Sequence, residues 1–456
     1  MNIIITIAVT ALVVLYAGLF KAKKALLPLS LVGLLTSLVF VITDWNTNRL
    51  YFGMMQMDNF ALAFSGLAIL GTLLILLLSQ NYFAAGSENI AEYLTLILFS
   101  LVGIIIMTSY QNMSMLFLGI EIMSVSLYIL AGIRRGNFAS NEASLKYFLM
   151  GAFSTGFLLF GITLLYGATG SFDLETIKQY LIGNATISPL FYTGVILLLV
   201  GIAFKIGAAP FHFWIPDVYE GAPTLITTFM STVVKVAGLA AFLRLFTDAF
   251  APLHDFWMPP LMVLACITLL IGNVTALFQK TFKRMLAYSS ISHVGYLLFS
   301  VITLSGSSSS SGLVYAAAYM FASIVAFAVL ILVKQKTASD SFESYNGLAK
   351  ENPFLGITLT IAMLSLAGIP LTAGFMGKYL MFMNVMGDYH VYLVSFAILN
   401  ALVGFYYYFR VIVAMYFREG TAVVIEVPSL YKVVLVLAVI VTVAVGVLPG
   451  LILNLI

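Results

Sequence analysis

Several ionisable side chains lie inside segments that are otherwise apolar, and their types suit proton transfer. Glu121 is at the middle of FLGIEIMSVSLYILAG (117–132), Lys205 lies in VGIAFKIGAAPF, and Lys235 lies in TVVKVAG. A charged side chain at the centre of a lipid-facing helix costs about 2.5–3.5 kcal/mol, so each must face a protein interior or water. Carboxylates and amines bind and release protons as nearby charges change. We interpret these residues as proton carriers, because a buried ion pair kept only for stability is often replaceable by apolar side chains.

Five further polar residues are candidates, and three of them also have a structural explanation. Lys146 lies near the start of its apolar segment, where it could extend to the membrane interface instead. His293 lies at the middle of its segment, where a neutral histidine bonded to a backbone carbonyl is an equal alternative. Lys378 follows a run of glycines, and the secondary candidates His212 and Arg410 lie beside a proline and near a segment end, respectively. For Arg410, snorkelling or ion pairing is the better explanation.

The composition identifies the medium in which these residues work. Hydrophobic residues make up 62% and charged residues 9% of the 456 residues, and the mean hydropathy is +1.08. Soluble domains have roughly 25% charged residues, so the sequence predicts a membrane protein. The basic residues form no cluster of more than about three, which argues against nucleic-acid binding. Cys266 is the only cysteine, which excludes a disulfide or a cysteine metal site within the chain.

Apolar segments of about 18–25 residues recur along the chain, each long enough to cross a membrane. The N-terminus begins directly in such a segment and is interpreted as a first span, not as a removed signal. A surface helix is predicted near 173–181, and the serine-rich stretch 305–312 is predicted to be a turn. The sequence thus predicts an all-α polytopic membrane protein of about fourteen transmembrane helices, near 3–20, 25–43, 58–80, 90–109, 112–132, 143–167, 189–217, 224–246, 256–278, 284–304, 312–333, 353–384, 390–416 and 431–454.

The basic residues outside the spans predict the orientation. Only Arg49, Lys178 and Arg244 fall in even-numbered loops. Since an excess of Lys and Arg marks the cytoplasmic side, both termini are expected on the outer side. The residues in odd-numbered loops are Lys21, Lys23, Lys24, Arg134, Arg135, Lys280, Lys283, Arg284, Lys334, Lys336, Lys350, Arg418 and Lys432.

Two of the spans contain helix-breaking residues next to a lysine. The seventh, VGIAFKIGAAPFHFWIPD, is interrupted just after Lys205, and the twelfth, LAGIPLTAGFMGKYL, is interrupted just before Lys378. Discontinuous helices of this kind mark ion or substrate sites in transporters, whereas a tolerated kink is the structural alternative. The two spans are five apart and cross in opposite directions, as two inverted five-helix repeats require. We therefore expect a single transmembrane domain over 1–456, divided into 3–80, 90–246, 256–416 and 431–454.

Five segments of the chain resemble the antiporter-like membrane subunits of respiratory complex I, the NADH–quinone oxidoreductase. These are GIEIMSVSLYILAG, SLKYFLMGAFSTGFLLFGITLLYGATGSF, FKIGAAPFHFWIPDVYEGAPT, FKRMLAYSSISHVGY and PLTAGFMGKYLMF, and the resemblance covers nearly the whole chain. Within that family the chain is most similar to the branch of subunit N. Lys378 argues against the M branch, where glutamate is usual, and the short C-terminus argues against the L branch, which ends in a long lateral helix.

The resemblance implies a proton channel in the membrane arm, on the side of the quinone module. The chain has no GxGxxG, cysteine cluster or pair of mid-span histidines, so electron transfer is expected in partner subunits that hold NADH, FMN, iron–sulfur clusters and quinone, with no cofactor here. The expected partners are the small subunits K and J, the antiporter-like subunit M and lipids, in a bacterial inner membrane. By motif, the proton relay would comprise Glu121, Lys146, Lys205, Lys235, His293 and Lys378.

Two other functions remain open on the sequence. An Mrp-type cation/proton antiporter subunit shares most of these motifs and would move sodium. A structural membrane subunit would keep the fold with an idle relay. For the main interpretation, Glu121 and Lys205 are expected to be an energetically coupled pair, and Lys378 is expected beyond the helix break, on the path to the outside.

Overall fold

A computed structural model describes residues 1–82, 90–387, 390–420 and 424–456. Thirteen helices in these ranges are long and apolar enough to cross a membrane. Two shorter helices, Pro353–Ala367 and Ala373–Gly387, together form the remaining span, which is the predicted twelfth. The predicted architecture of about fourteen spans is therefore confirmed.

The first three spans precede the repeated part of the chain. A short antiparallel hairpin, which the sequence analysis did not predict, lies between the second and third spans. The elements are α1 (Asn2–Leu19), α2 (Lys23–Thr43), β1 (Arg49–Tyr51), β2 (Met55–Met57) and α3 (Asn59–Tyr82).

The fourth to eighth spans form the first five-span unit. The seventh span of the chain consists of α8 and α9, and the eighth consists of α10, α11 and a short π-helix. The predicted surface helix is present as α7. The elements are α4 (Ile90–Ser109), α5 (Met113–Ala131), α6 (Phe138–Thr169), α7 (Leu174–Gly183), α8 (Pro189–Ile206), α9 (Trp214–Gly221), α10 (Thr224–Ser231), α11 (Val233–Leu243) and the π-helix Arg244–Ala249.

The ninth to thirteenth spans form the second five-span unit, and the last span follows it. The twelfth span consists of α17 and α18. The elements are α12 (His254–Leu277), α13 (Phe282–Leu297), α14 (Phe299–Ile302), α15 (Ser308–Thr337), the 3-10 helix Phe342–Tyr345, α16 (Leu348–Glu351), α17 (Pro353–Ala367), α18 (Ala373–Gly387), α19 (Val391–Phe417), α20 (Ser429–Val447) and α21 (Gly450–Leu453).

The third helix of each unit ends in the same local hydrogen-bond pattern. After α6, the Thr169 hydroxyl donates to the Ser171 carbonyl at 3.1 Å and accepts from its backbone N–H at 3.3 Å. After α15, Thr337 and Ser339 form the same two bonds at the same distances. Such side-chain-to-backbone bonds close a tight turn after a helix. The recurrence supports an internal repeat that the sequence shows only as a pattern.

The connections between the first two helices of each unit also correspond. Asn112, just before α5, forms an isolated antiparallel bridge with Asp173. Thr281, just before α13, forms an equivalent bridge with Ser341. In both units the second helix is therefore fixed to the chain that leaves the third helix.

Both predicted breaks end the first half of a span with a glycine. Gly207 ends α8 at φ +77° and Gly368 ends α17 at φ +88°, in the left-handed region that favours glycine. The residue after each glycine donates its N–H back into the helix, from Ala208 to the Ala203 carbonyl at 2.8 Å and from Ile369 to the Leu364 carbonyl at 3.0 Å. This bonding pattern stops a helix without leaving its last carbonyls unsatisfied.

One local expectation was wrong and one span has an added detail. The eighth span, predicted near 224–246, is present over Thr224–Ala249 and has an interruption at Thr232. Its threonines compete with the helix ladder, since Thr232 donates its hydroxyl to the Thr228 carbonyl at 2.6 Å. The serine stretch 305–312 is largely helical, because α15 begins at Ser308. Its hydroxyls satisfy nearby groups, for example Ser308 Oγ on the Thr303 carbonyl at 2.8 Å.

The eighth and eleventh spans lie at the centre of the protein. Every residue in the most apolar windows of Thr224–Ala249 and Ser308–Thr337 is buried. The outer α1 and α2 expose one face, with Phe20 and Ile42 among the exposed residues. Charged side chains on the two central spans must consequently be satisfied by protein groups.

Candidate functional site

Lys205 lies in the last turn of α8, two residues before the break at Gly207, and is buried. Its ammonium group donates to Ser124 Oγ at 3.0 Å and to Tyr128 OH at 3.4 Å, both on α5. Because α8 ends at this break, Lys205 lies at the C-terminal end of the helix, where a cation is favoured. The first half of the seventh span is thereby held to the helix that carries Glu121.

Glu121 lies one turn before Ser124 on α5 and is half-buried. Its carboxylate and the Lys205 ammonium do not form an ion pair within 4.0 Å in the part of the chain that the structure describes. The buried Oε1 of Glu121 has no hydrogen-bond partner among the described residues. Since an unpartnered buried carboxylate oxygen is costly, this group is ready to accept a hydrogen bond from a cation or water that approaches it.

Lys235 lies on α11, one turn after the interruption at Thr232, and is buried. Its ammonium group donates to the Ser290 carbonyl at 2.5 Å and to Ser290 Oγ at 2.9 Å. Ser290 is on α13, so this lysine joins the first five-span unit to the second. The Lys235 helix also packs next to Lys205, because Gly238 on α11 lies directly against Ile206, the residue that follows Lys205.

His293 lies on α13, one turn after Ser290, and is buried. Both of its ring nitrogens have a tyrosine partner: Nδ1 is 2.6 Å from Tyr315 OH and Nε2 is 2.9 Å from Tyr408 OH. The backbone-carbonyl explanation raised on the sequence is therefore wrong for this histidine. Tyr408 OH also lies 2.5 Å from Ser289 Oγ. The histidine is part of a chain of groups that can each donate and accept a proton.

Lys378 lies on α18, beyond the break of the twelfth span, and is buried. Its ammonium group donates to the Leu366 carbonyl at 3.1 Å and to the Ala367 carbonyl at 3.0 Å. These carbonyls are at the end of α17, where the broken helix leaves acceptors free. The ammonium also lies 4.6 Å from the centre of the Tyr296 ring, within the range of a cation–π contact. Lys378 and His293 line one cleft, which is too narrow to hold a water molecule in this conformation.

Lys146 lies on α6, away from the fully buried groups, and its side chain is 36% exposed. Its ammonium forms ion pairs of 2.8 Å with Glu142 on the same helix and with Asp217 on α9. Asp217 also pairs with Arg284 of α13 at 3.4 Å. This polar network joins the two five-span units at one end of the bundle. The interpretation of Lys146 as a relay residue stays a prediction.

The two secondary candidates occupy different surroundings. His212 is half-buried in the turn between α8 and α9, and its Nδ1 has no hydrogen-bond partner among the residues described. Arg410, on α19, donates to the Gln279 carbonyl at 3.1 Å and lies 4.0 Å from the centre of the Phe342 ring. These contacts fix α19 to the chain that follows α12 and favour the packing explanation for Arg410.

The sequence analysis missed the hydroxyl groups that contact the charged residues. In apolar segments, serine and tyrosine are common and carry no charge that would single them out. Their spacing was nevertheless a usable signal, since residues three, four and seven apart share one helix face. The missed residues in contact with the candidates are Ser124, Tyr128, Ser289, Ser290, Tyr296, Tyr315 and Tyr408.

The arrangement is a series of buried proton-binding groups that crosses both five-span units. It begins at Glu121 and Lys205, continues at Lys235, which contacts the second unit, and then reaches His293 and Lys378. Among the described residues no group of three or more His, Cys, Asp or Glu side chains could hold a metal ion. The geometry thus suits movement of protons between neighbouring side chains.

Comparison with known proteins identifies a matching family and related sequences. Residues 110–404 match the family described as NADH:quinone oxidoreductase/Mrp antiporter, TM. The NADH-quinone oxidoreductase subunit N of Cytophaga hutchinsonii is 43% identical over 420 residues, which is 92% of this chain and 91% of that protein.

Solved structures give the same result. A chain of respiratory complex I from Thermus thermophilus with bound aureothin is 33% identical, with a TM-score of 0.86, and the match covers 99% of this chain and 98% of that chain. A chain of the Mrp complex from Dietzia is similar in fold, with a TM-score of 0.89 at 18% identity over 99% of this chain and 95% of that chain.

Proposed function

Because this chain belongs to the NADH:quinone oxidoreductase/Mrp antiporter family of membrane subunits, we propose that its buried polar series is a proton path driven by quinone reduction. The chain is a proton-translocating membrane-arm subunit of NADH-quinone oxidoreductase. The observation that carries the assignment of the path is the contact of Lys235 with Ser290, which links the polar groups of the two units.

The residues of the path would act by exchanging protons as neighbouring charges move. Lys205 and Lys235 take up protons from the cytoplasmic side, and Glu121 adjusts the proton occupancy of Lys205 through its charge. His293 passes protons along the second unit, and Lys378 releases them towards the outside.

The direction of transport rests on the distribution of basic residues. The loops with most Lys and Arg would face the cytoplasm, which puts both termini on the periplasmic side of a bacterial inner membrane. The small subunits K and J and the antiporter-like subunit M would flank this chain. NADH, FMN, the iron–sulfur clusters and quinone would be bound by partner subunits, and this chain would hold no redox centre.

The Mrp alternative receives less support. The resemblance to the Dietzia chain is a likeness of fold alone, whereas relatives named subunit N share up to 43% of their residues with this chain. Sodium-dependent proton exchange by the isolated assembly would favour the antiporter. Normal pumping without Lys205 would favour a structural subunit with an idle relay.

The proposal is tested with Lys205→Ala in the intact complex reconstituted into liposomes. NADH-driven acidification of the lumen is measured with a pH-sensitive dye, in parallel with quinone reduction. We expect both rates to fall by about tenfold or more, as for loss of a group that transfers a proton. Lys178→Ala, on the surface helix α7, is the matched control and should retain both rates. Normal acidification with Lys205→Ala would refute the proposed path.

A further inference from the structure

His293 is held between two tyrosine hydroxyls, and this arrangement has a specific chemical consequence. A neutral imidazole has one N–H donor and one bare nitrogen acceptor. One of Tyr315 and Tyr408 must therefore accept a hydrogen bond from the ring, and the other must donate one to it. The same heavy-atom positions are compatible with both directions of donation. A shift of one proton along each bond converts one direction into the other.

The hydroxyl chain continues towards Lys235. Tyr408 OH is bonded to Ser289 Oγ at 2.5 Å, and the next residue, Ser290, holds the Lys235 ammonium. A hydroxyl can donate one proton and accept others at the same time. Ser289 and Tyr408 thus extend the hydroxyl chain from Nε2 of His293 to the residue that precedes the Lys235 partner Ser290.

The other end of the chain is next to Lys378. Tyr315 lies on α15, and its backbone packs so closely against α18 that a Cβ at Gly377 would be 2.8 Å from Tyr315 Cα. Lys378 is the next residue of α18, and it shares a cleft with His293. Tyr408, the partner of Nε2, lines that cleft as well, whereas Tyr315, the partner of Nδ1, packs its backbone against α18.

We propose that Tyr408 and Tyr315 are proton-carrying residues, and that a proton crosses His293 between Nε2, which contacts Tyr408, and Nδ1, which contacts Tyr315. This inference rests on the proposed function. In one passage, one tyrosine gains a proton from its other neighbour and gives its own to the ring, while the opposite ring nitrogen gives its proton to the second tyrosine. The second tyrosine releases its own hydroxyl proton in turn, so each group gains one proton and loses one. The passage leaves the ring proton on the other nitrogen, so a further exchange of that proton, as well as rotation of the hydroxyls, precedes the next passage in the same direction.

The narrow cleft gives these tyrosines a necessary role in this conformation. A water chain needs space for each molecule and polar partners for it. The cleft that His293, Tyr408 and Lys378 line has no room for one, and both ring nitrogens of the histidine contact side-chain hydroxyls. Loss of a hydroxyl would leave one ring nitrogen without its partner and interrupt the chain.

The test uses Tyr408→Phe and Tyr315→Phe in the complete NADH-quinone oxidoreductase, reconstituted into liposomes. NADH-driven acidification, quinone reduction and their solvent deuterium isotope effects are measured. We expect acidification to fall by about tenfold in each variant, in line with loss of a proton-transferring group. Tyr431→Phe is the matched control, because this buried tyrosine on α20 has a hydroxyl without a hydrogen-bond partner among the described residues. It should behave as the wild type.

A rescue experiment separates proton transfer from packing. Replacement of Tyr408 by 3-fluorotyrosine keeps the O–H at nearly the same volume and should restore acidification, with an altered isotope effect. Equal loss with phenylalanine and with 3-fluorotyrosine would overturn the inference, because the O–H would then not matter. If Tyr408→Phe does not assemble, Tyr315→Phe and the fluorinated protein decide the question.

The outcomes also separate this inference from the proposed function. If Lys205→Ala abolishes acidification while Tyr408→Phe and Tyr315→Phe pump normally, only the tyrosine relay is refuted. If Lys205→Ala itself pumps normally, the proposed path fails as a whole.

Discussion

Glu121→Gln is the substitution that most directly tests the electrostatic part of the proposed path. It removes one negative charge and keeps the side-chain shape. The carboxylate is farther than 4.0 Å from the Lys205 ammonium, and Ser124 occupies the nearest contact. Two unit charges about 7 Å apart at an effective dielectric constant of about 20 interact by about 2 kcal/mol. A free-energy difference of that size changes an equilibrium constant about 30-fold.

We expect Glu121→Gln to lower proton pumping and quinone reduction together by about tenfold, because a stalled proton step also stalls a tightly coupled redox step. Inverted membrane vesicles give both rates, with dye quenching for acidification and NADH consumption for electron transfer. Assembly is checked by native gel electrophoresis. Glu121→Asp keeps the charge and should retain an intermediate rate.

Glu175→Gln is the matched control for this experiment. Glu175 is an exposed carboxylate on α7 whose Oε1 accepts from Gln179 at 2.7 Å, so its loss should leave both rates unchanged. Full coupled activity in an assembled Glu121→Gln enzyme would show that the charge of this carboxylate plays no part in transport. Loss of pumping with normal quinone reduction would refute the assumption of tight coupling.

Three further predictions concern the second break and the polar network. Lys378→Met should slow turnover by about tenfold, and Lys378→Arg should not restore it, because a guanidinium keeps its proton; normal pumping by either assembled variant would contradict this. Gly368→Ala should lower activity several-fold and stability by about 1–2 kcal/mol, since φ is +88° and the new Cβ would lie 3.1 Å from Lys378 Nζ. Its control is Gly170→Ala, at φ +70° with no atom within 4 Å of the new Cβ, which should retain activity at a comparable loss of thermal stability. Lys146→Met should lower pumping several-fold while Lys146→Arg retains it, because an arginine preserves the ion pairs on this half-exposed side chain; an equal loss in both would indicate that Lys146 must release its proton.

The sequence predicted the spans because each of them needs only a long apolar run, which is a local property. The two breaks were also predictable, since Gly207 and Gly368 are each followed within three residues by a proline, and glycine readily adopts the backbone angles found there. The interruption at Thr232 was not, because it results from competition between threonine hydroxyls and backbone carbonyls that no apolar pattern records. The helical serines from Ser308 were missed for a related reason, namely that their hydroxyls find partners elsewhere in the fold.

Among the site residues, charge alone was sufficient to find the lysines, Glu121 and His293, because a charge or imidazole in an apolar segment is conspicuous. Their partners depend on how helices meet. The contact between Lys235 and Ser290 joins residues that are 55 positions apart, and that between His293 and Tyr408 joins residues 115 apart. Spacing within one helix can suggest that Ser290 and His293 share a face, but it cannot identify which other helix faces them.

The two broken spans explain how one fold places lysines at different depths along a path. Lys205 precedes its break by two residues, whereas Lys378 follows its break by ten. Despite this difference, each ammonium group lies at the C-terminal end of the first half-helix of its span, Lys205 within the last turn of α8 and Lys378 against the last carbonyls of α17. The C-terminal end of a helix favours a cation. The two spans cross the membrane in opposite directions, so the ends of their first half-helices point in opposite directions. The same arrangement, a cation at a helix C-terminal end, therefore occurs once in each unit. We therefore expect Lys205→Met to lower acidification by about tenfold, as Lys378→Met does, because each substitution removes the cation from the end of its half-helix. Normal acidification by an assembled Lys205→Met enzyme would show that the cation at the end of α8 is not required for transport.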